Sequence, residues 1–460
     1  MDSPFDQPLR AAFEAALDHL HHLDSRPVTA TASLAELRQA MNKPLIGAGV
    51  SAEQVVRELA KDVAGGLIGN SSGRFYGWVM GGATPASLAA DWMASAWDQN
   101  AAVYACSPAA AVAEEVAGAW LKDLLGLPAD ASFALVTGCQ MAHVTCLAAA
   151  RHWLLERRGW DVEERGLAGS PAIRILTGSE RHGSIDRAVR LVGLGRASIR
   201  VLASDDQGRL RPEALAAAFA EDQAAPTIVL LQAGDLHIGT YDEFPALIPL
   251  ARAAGAWVHV DGAFGLWAAA SPRHANLMDG AAIADSWATD GHKWLNVPYD
   301  CGYAFVAHPD AHRASMSYRA AYFSNSDEAR DQMDWNPEWS RRARGFATYA
   351  ALRELGRDGV ADLVDRCCRH AAALLDGIGS LPHAEIVWRA QINQGLVRFF
   401  DDDQRTDAVI AAVQASGKAF LGGSTWRGRR VMRISVCNWL TNERDIEIAV
   451  AAARDAIMSV

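Results

Sequence analysis

The chain is short of lysine, of paired cysteines, of net positive charge and of unbroken apolar sequence, and each shortage narrows what it can be. Lys43, Lys61, Lys122, Lys293 and Lys418 are its lysines, so arginine supplies nearly all positive charge, and the net charge is −11. That balance argues against a nucleic-acid or anionic-membrane partner, since both need clustered positive charge. It leaves open phosphate binding by local backbone N–H groups. The seven cysteines, Cys106, Cys139, Cys146, Cys301, Cys367, Cys368 and Cys437, are scattered, odd in number and never in CxxC spacing. They read as reduced thiols of a cytoplasmic protein, with neither a disulfide framework nor a zinc site. No apolar run reaches the ~18 residues of a membrane span. The acidic, amphipathic start MDSPFDQPLRAAFEAALDHL lacks the basic and apolar regions of a signal peptide.

What is present is globular. Half of the 460 residues are hydrophobic and 21% are charged, and the length exceeds one compact core. Residues 1–75 read as a helical segment with helices near 9–20 and 51–67, whose small apolar faces predict packing on a second subunit. Residues 76–345 change pattern. Short apolar runs at 133–137, 173–177, 199–202, 227–232, 257–261, 286–289 and 302–307 alternate with amphipathic stretches such as 141–156, 212–221 and 244–254. Such alternation predicts an α/β domain, a mainly parallel seven-stranded sheet with helices on both faces. Ligands of that architecture sit beyond the carboxyl ends of the strands. Residues 346–460 read as a smaller α+β domain, with helices at 347–355, 360–375 and 406–416, strands near 386–388, 396–400 and 431–436, and a final helix from Glu443. There is no internal repeat and no low-complexity linker.

Four strand ends carry chemistry. In Ser286-Trp-Ala-Thr-Asp-Gly-His-Lys-Trp-Leu-Asn-Val-Pro-Tyr-Asp-Cys-Gly302 a buried-type strand ends in His292-Lys293. A lysine among apolar neighbours is costly to keep charged, which predicts a lowered pKa and a nucleophilic amine; alone, it could be a surface lysine beside a chance histidine. In Trp257-Val-His-Val-Asp-Gly-Ala-Phe-Gly265 a strand ends in Asp261. A carboxylate there can hold a pyridine nitrogen protonated, or simply cap the next helix. In Val136-Thr-Gly-Cys-Gln-Met-Ala-His143 a strand passes through Gly138 into a helix start, where free N–H groups favour a phosphate. In Glu180-Arg-His-Gly-Ser184, His182 could lie flat on a ring and handle a proton, or be an ordinary cap.

These elements, in this order, resemble the pyridoxal-dependent group II amino acid decarboxylases, a family with the PLP-dependent transferase fold type I that includes aromatic-L-amino-acid, histidine and glutamate decarboxylases. The likeness runs from Arg74-Phe-Tyr-Gly77 and Ser107-Pro108 through Asp261-Gly-Ala263 and His292-Lys293 to Met432-Arg-Ile-Ser-Val-Cys-Asn438. It implies pyridoxal 5′-phosphate (PLP) linked covalently to Lys293, with His292 near the phosphate. Asp261 would be the ring-nitrogen partner, Ala263 the small residue beneath the ring and His182 the histidine stacked above it. Gly138, Cys139 and Gln140 would form the phosphate turn. It implies Tyr322, in a loop after the lysine, as the proton donor delivered to the neighbouring site of a homodimer. Phe75, Tyr76 and Trp78 would line a pocket favouring an aromatic or bulky apolar amino acid, or else be core or dimer contacts, and Arg433 would meet a carboxylate or form a structural ion pair.

The implied reaction is loss of CO2 from an amino acid, leaving an amine. Interception of the carbanion by oxygen would give an aldehyde instead, and retention of Tyr322 and His182 favours the amine. Aminotransferase or carbon–carbon lyase chemistry is a further variant. A non-enzymatic module would ordinarily have lost Lys293 or Asp261. Several positions depart from better-known members: Cys139-Gln140 replaces the Ser or Thr often found at the phosphate turn, so backbone N–H groups and Gln140 would carry more of that task. Asp290 stands where Asn is common, and a second carboxylate near a phosphate is unfavourable unless it points away. Asp235 and His237 occupy a turn where uncharged residues are usual.

Overall fold

The computed structural model describes residues 3–318, 329–389 and 391–460. The chain divides into two compact units, Met1–Met80 with His370–Trp388 and Leu396–Val460, and Gly81–Arg369 with Arg389–Gly395. Compactness therefore does not follow chain order, and the segments expected to part at residues 75 and 345 are grouped differently. The cause is local to the first unit: the Arg74 guanidinium donates to the carbonyls of Leu23, Arg26 and Lys418. Tyr76 N donates to Phe420 O at 2.8 Å and Phe420 N to Arg74 O at 3.1 Å, a strand-like bridge that ties the N-terminal segment to residue 420.

The first unit opens with α1 (Asp6–His21), α2 (Leu34–Met41) and α3 (Ala52–Val63). Ser33 and Glu36 form a reciprocal capping box on α2, and Ser51 caps α3, each satisfying N–H groups that a helix start leaves free. The sequence reading lacked α2, because eight residues give too few turns for periodicity to register.

The second unit runs α4 (Pro85–Trp97), α5 (Pro108–Leu124), β1 (Ser132–Val136), α6 (Cys139–Glu156), α7 (Val162–Arg165), β2 (Arg174–Thr177), α8 (Gly183–Leu191), β3 (Ile199–Val201), α9 (Pro212–Glu221), β4 (Thr227–Gln232), α10 (Phe244–Ala253), β5 (Trp257–Asp261), β6 (Ser286–Asp290), β7 (Gly302–Val306) and α11 (Pro309–Met316). Proline opens α4, α5, α9 and α11, where its missing N–H is not needed. The strands form one seven-stranded sheet in the order β1-β7-β6-β5-β4-β2-β3. β7 is antiparallel to both neighbours, while the other pairings are parallel. Strands β5, β6 and β7 are buried along their whole length, as a sheet covered on both faces requires. This is the α/β architecture expected for fold type I.

Helix α12 (Gly345–Gly379) is interrupted at Gly356, whose φ of 62° and ψ of −178° break the helical path, so the two helices expected here are joined end to end. Beyond it lie β8 (Ala384–Arg389), β9 (Gln394–Phe399), α13 (Asp403–Ala415), β10 (Gly422–Trp426), β11 (Arg429–Ser435) and α14 (Glu443–Ser459), with a four-stranded sheet ordered β10-β11-β9-β8. β10 escaped the sequence reading because Gly422-Gly-Ser-Thr-Trp426 has little apolar alternation. Among the described residues no helix is long and apolar enough to cross a membrane.

Candidate active site

Topology brings three strand ends together. Gly302, the first residue of β7, lies opposite Val136 at the end of β1 and Asp290 at the end of β6, and β6 neighbours β5, which ends in Asp261. The turn after β1 and the start of β7 approach so closely that a Cβ on Gly302 would lie 2.4 Å from the Gly138 carbonyl carbon. Glycine is needed there because no side chain fits.

Gly138 precedes α6, and a Cβ on it would come within 3.1 Å of His292 and 3.3 Å of Asp290. Cys139 N donates to Asp290 Oδ1 at 2.5 Å. Gln140 Nε2 is buried without a hydrogen-bond partner, an expensive state for an amide. An unspent donor at a helix start, where the dipole is positive, is suited to an anion.

Lys293 follows β6 with Nζ 3.0 Å from Asp290 Oδ2. The lowered pKa expected of this lysine is overturned. Burial does pull it down, but the charge of Asp290, with lesser help from Cys139 and Asp261, raises it above the ordinary lysine value. Asp290 does not point away as a carboxylate beside a phosphate should; it faces into the site and contacts the Cys139 amide, Lys293 and, at 3.4 Å, His292 Nε2. Its backbone is locked as well, with Asp290 N donating to Ala263 O and Trp267 Nε1 to Asp290 O. Cys301 N donates to His292 Nδ1 at 3.1 Å, so the proton of the neutral ring sits on Nε2. Tyr299 stacks on that ring with centroids 4.2 Å apart. Burial holds the His292 pKa down, which favours this neutral state.

Asp261 is buried and its Oδ1 accepts from Ala263 N at 3.1 Å. Burial pushes its pKa up, but His143, His182 and Lys293 around it outweigh that and hold it below the usual carboxylate value. Ala263 is half-buried. His182 is exposed and caps α8, its Nδ1 accepting from Ser184 N at 3.2 Å. Tyr322 lies outside the described residues.

Phe75, Tyr76, Trp78 and Arg433 belong to the other compact unit. Phe75 and Tyr76 are buried there, with Phe75 stacked on Phe420 at 4.7 Å, whereas Trp78 is 57% exposed against the same ring. Arg433 is buried on β11. Asp235 is spent on its own loop: its carboxylate accepts from the backbone N–H groups of His237, Ile238 and Thr240 and from the Thr240 hydroxyl.

Two residues behind Asp261 escaped the sequence reading, His143 on α6 and His259 on β5, both fully buried. Their signal was spacing: His143 is one helical turn after Cys139, and His259 shares Asp261's side of the strand. Ligand atoms of Cys139, His143 and Asp261 lie within 4.8 Å of one another, compact enough for a cation. Burial raises the Cys139 thiol well above its ordinary value, however, and a thiol must ionise to bind metal.

The sequence pattern described as the pyridoxal-dependent decarboxylase conserved domain matches residues 36–400. The chain is 26% identical over 450 residues to an aromatic-L-amino-acid decarboxylase of Bacillus atrophaeus, covering 95% of this chain and 92% of that protein. It is 25% identical to a 4-hydroxyphenylacetaldehyde synthase of Rhodiola rosea, covering 87% and 84%. Its fold matches a crystal structure of Oryza sativa TDC with PLP and tryptamine at a TM-score of 0.92 and 23% identity, covering 100% of this chain and 99% of that one. A buried carboxylate, a strand-end lysine and an unspent amide at a helix start fit a phosphorylated pyridine aldehyde. With a family pattern spanning most of its length, the chain belongs to the pyridoxal-dependent decarboxylases, enzymes that use PLP to remove the carboxylate of an amino acid.

Proposed function

We propose that the substrate is an aromatic L-amino acid and the product its amine. The observation that carries the site assignment is that Lys293 and Asp261 follow adjacent strands of one sheet, β6 and β5, and each lies within electrostatic reach of the other. Lys293 would hold the cofactor covalently. Asp261 would pair with its ring nitrogen and keep it protonated. Gln140 and His292 would hold the phosphate, and Ala263 would leave room for a flat ring. Bound PLP supplies the electron sink for the pair left on the α-carbon when CO2 departs. His182, and Tyr322 by resemblance, return a proton to that carbon.

Aromatic specificity is supported by the relatives named above. Those relatives include both an amine-forming and an aldehyde-forming enzyme, so product chemistry is the decisive test. The PLP-loaded protein, incubated with each common amino acid, is expected to give CO2 and an amine by mass spectrometry, without peroxide. An aldehyde with peroxide would replace the amine reading, and no CO2 from any amino acid would overturn the assignment. Lys293→Ala is expected to lower the rate on the order of 10⁴-fold, as when a covalent catalyst is removed.

The working form we propose is a cytoplasmic homodimer. Phe5, just before α1, and Leu9 and Phe13 on it, spaced four residues apart, are exposed, an apolar stripe of the kind that marks an interface. All seven cysteines are free, which suits a reducing compartment. Sedimentation showing only monomer at micromolar concentration would remove the dimer.

A further inference from the structure

A line of buried polar contacts runs away from Asp261 into the sheet. His143 Nε2 is 3.6 Å from Asp261 Oδ2 and 3.3 Å from Cys139 Sγ. His143 Nδ1 is 2.9 Å from His259 Nε2, with the two rings at 86° to one another. His259 Nδ1 is 2.9 Å from Ser286 Oγ, which also accepts from Trp257 Nε1 at 2.9 Å. His143, His259, Ser286 and Trp257 are fully buried. None of these contacts reaches solvent, and a hydrophobic residue would fill either histidine's place at less desolvation cost.

The direction of the line follows from charge. Burial lowers both histidines, His259 to about 3, so each ring is neutral and offers one donor and one acceptor. If Ser286 donates to His259 Nδ1, His259 Nε2–H donates to His143 Nδ1, and the His143 Nε2–H faces Asp261 and the Cys139 sulfur. The reverse order would set a nitrogen lone pair against the Asp261 carboxylate, which is repulsive. The line is therefore polarised toward the carboxylate, and it anchors at Ser286, the first residue of the strand whose last is Asp290.

We infer that His143 and His259 are positioning residues that hold the Asp261 carboxylate ionised and aimed at the cofactor's ring nitrogen. The inference rests on the assignment of Asp261 as the ring-nitrogen partner. Neither histidine touches the reacting atoms; both act through Asp261. His143 turns its N–H toward Oδ2 at 3.6 Å while Ala263 N donates to Oδ1 at 3.1 Å, so a donor faces each carboxylate oxygen.

The test compares two cofactors in the full-length protein, PLP and its 1-deaza analogue, whose ring carries carbon in place of the nitrogen. Their dissociation constants are read by titrating the apoprotein. His143→Leu removes the donor, and is expected to weaken PLP about tenfold, one pKa unit's worth of interaction, while leaving the deaza analogue unchanged. His143→Gln, whose amide nitrogen can reach the same place, is expected to recover most of the loss. His143→Leu is also expected to lower kcat with little change in KM. His259→Asn keeps a polar group for Ser286 but breaks the link to His143; it should show the same cofactor discrimination at smaller size, and it carries the test if His143→Leu does not fold. Asp261→Asn, run in parallel, should discriminate between the cofactors more strongly. Equal losses for both cofactors in the histidine variants, or none, with discrimination retained by Asp261→Asn, would overturn the relay alone. Absence of discrimination in Asp261→Asn as well would overturn the ring-partner assignment beneath it.

Discussion

The Asp290 carboxylate stands 3.0 Å from the Lys293 amine and accepts the Cys139 N–H at 2.5 Å. One side chain thus links Lys293 to the helix start proposed to hold the phosphate. Its charge raises the Lys293 pKa against the pull of burial, which keeps the amine protonated when no cofactor is attached. Asp290→Asn would preserve an acceptor for Cys139 and remove that charge, so the amine's pKa falls and its neutral fraction at neutral pH rises. Capture of PLP by the apoprotein, followed by absorbance, should accelerate about tenfold for each pKa unit lost. An unchanged rate would mean that Asp290 does not govern the amine.

Gly302→Ala tests the close approach at the strand ends. Its Cβ would fall 2.4 Å from the Gly138 carbonyl carbon and 2.8 Å from Cys139 N, and neither backbone can yield without moving the turn. The variant should lose roughly 1–3 kcal/mol of stability, the usual scale of overpacking, together with PLP affinity. Normal cofactor affinity measured by titration would show that the turn is not the phosphate site.

Away from the site, Arg341 and Glu114 form a buried ion pair at 2.5 Å, and the same guanidinium donates to the carbonyls of Ala101 and Leu135. Arg341→Met strands the carboxylate, whose pKa burial already raises. The expected cost is about 3–5 kcal/mol, read as a shift in the urea midpoint at constant m-value. A cost below about 1 kcal/mol would show that the pair is hydrated in solution.

His312 is buried, its Nε2 2.9 Å from Trp335 O and its Nδ1 2.8 Å from Ser132 Oγ, and burial pushes its pKa down to about 3. Unfolded, it titrates near 6.5. Between those values the unfolded chain binds a proton that the native state refuses, so the contribution is present above pH 6.5 and is lost as pH falls toward 3. Within that window it should cost about 1.4 kcal/mol per pH unit. His312→Gln should flatten the acid limb of the stability curve by that slope relative to wild type. Identical limbs would refute the assignment.

Much of this was readable along the chain. The apolar runs ending in Asp261 and His292-Lys293 showed where a ligand should sit, because a parallel sheet exposes its carboxyl ends. What failed did so for physical reasons. Lys293 was expected to have a depressed pKa from its apolar neighbours, but a pKa depends on which charge points at the group, and Asp290's orientation is settled by the Ala263 and Trp267 hydrogen bonds to its backbone. The odd carboxylate at Asp235 proved to be a loop clasp, since only the folded turn presents it with three N–H donors. His143 and His259 lie 116 residues apart and could not be linked by periodicity.

Strand periodicity was enough for the α/β architecture, and the family resemblance of the segments around Asp261 and His292-Lys293 was enough to point to a cofactor, because both are written in neighbours along the chain. Which groups face Asp261, which way Asp290 turns, and how Arg74 ties the N-terminal helices to residue 420 were fixed by long-range packing. Electrostatic energy depends on distance in space, and only folding sets that distance.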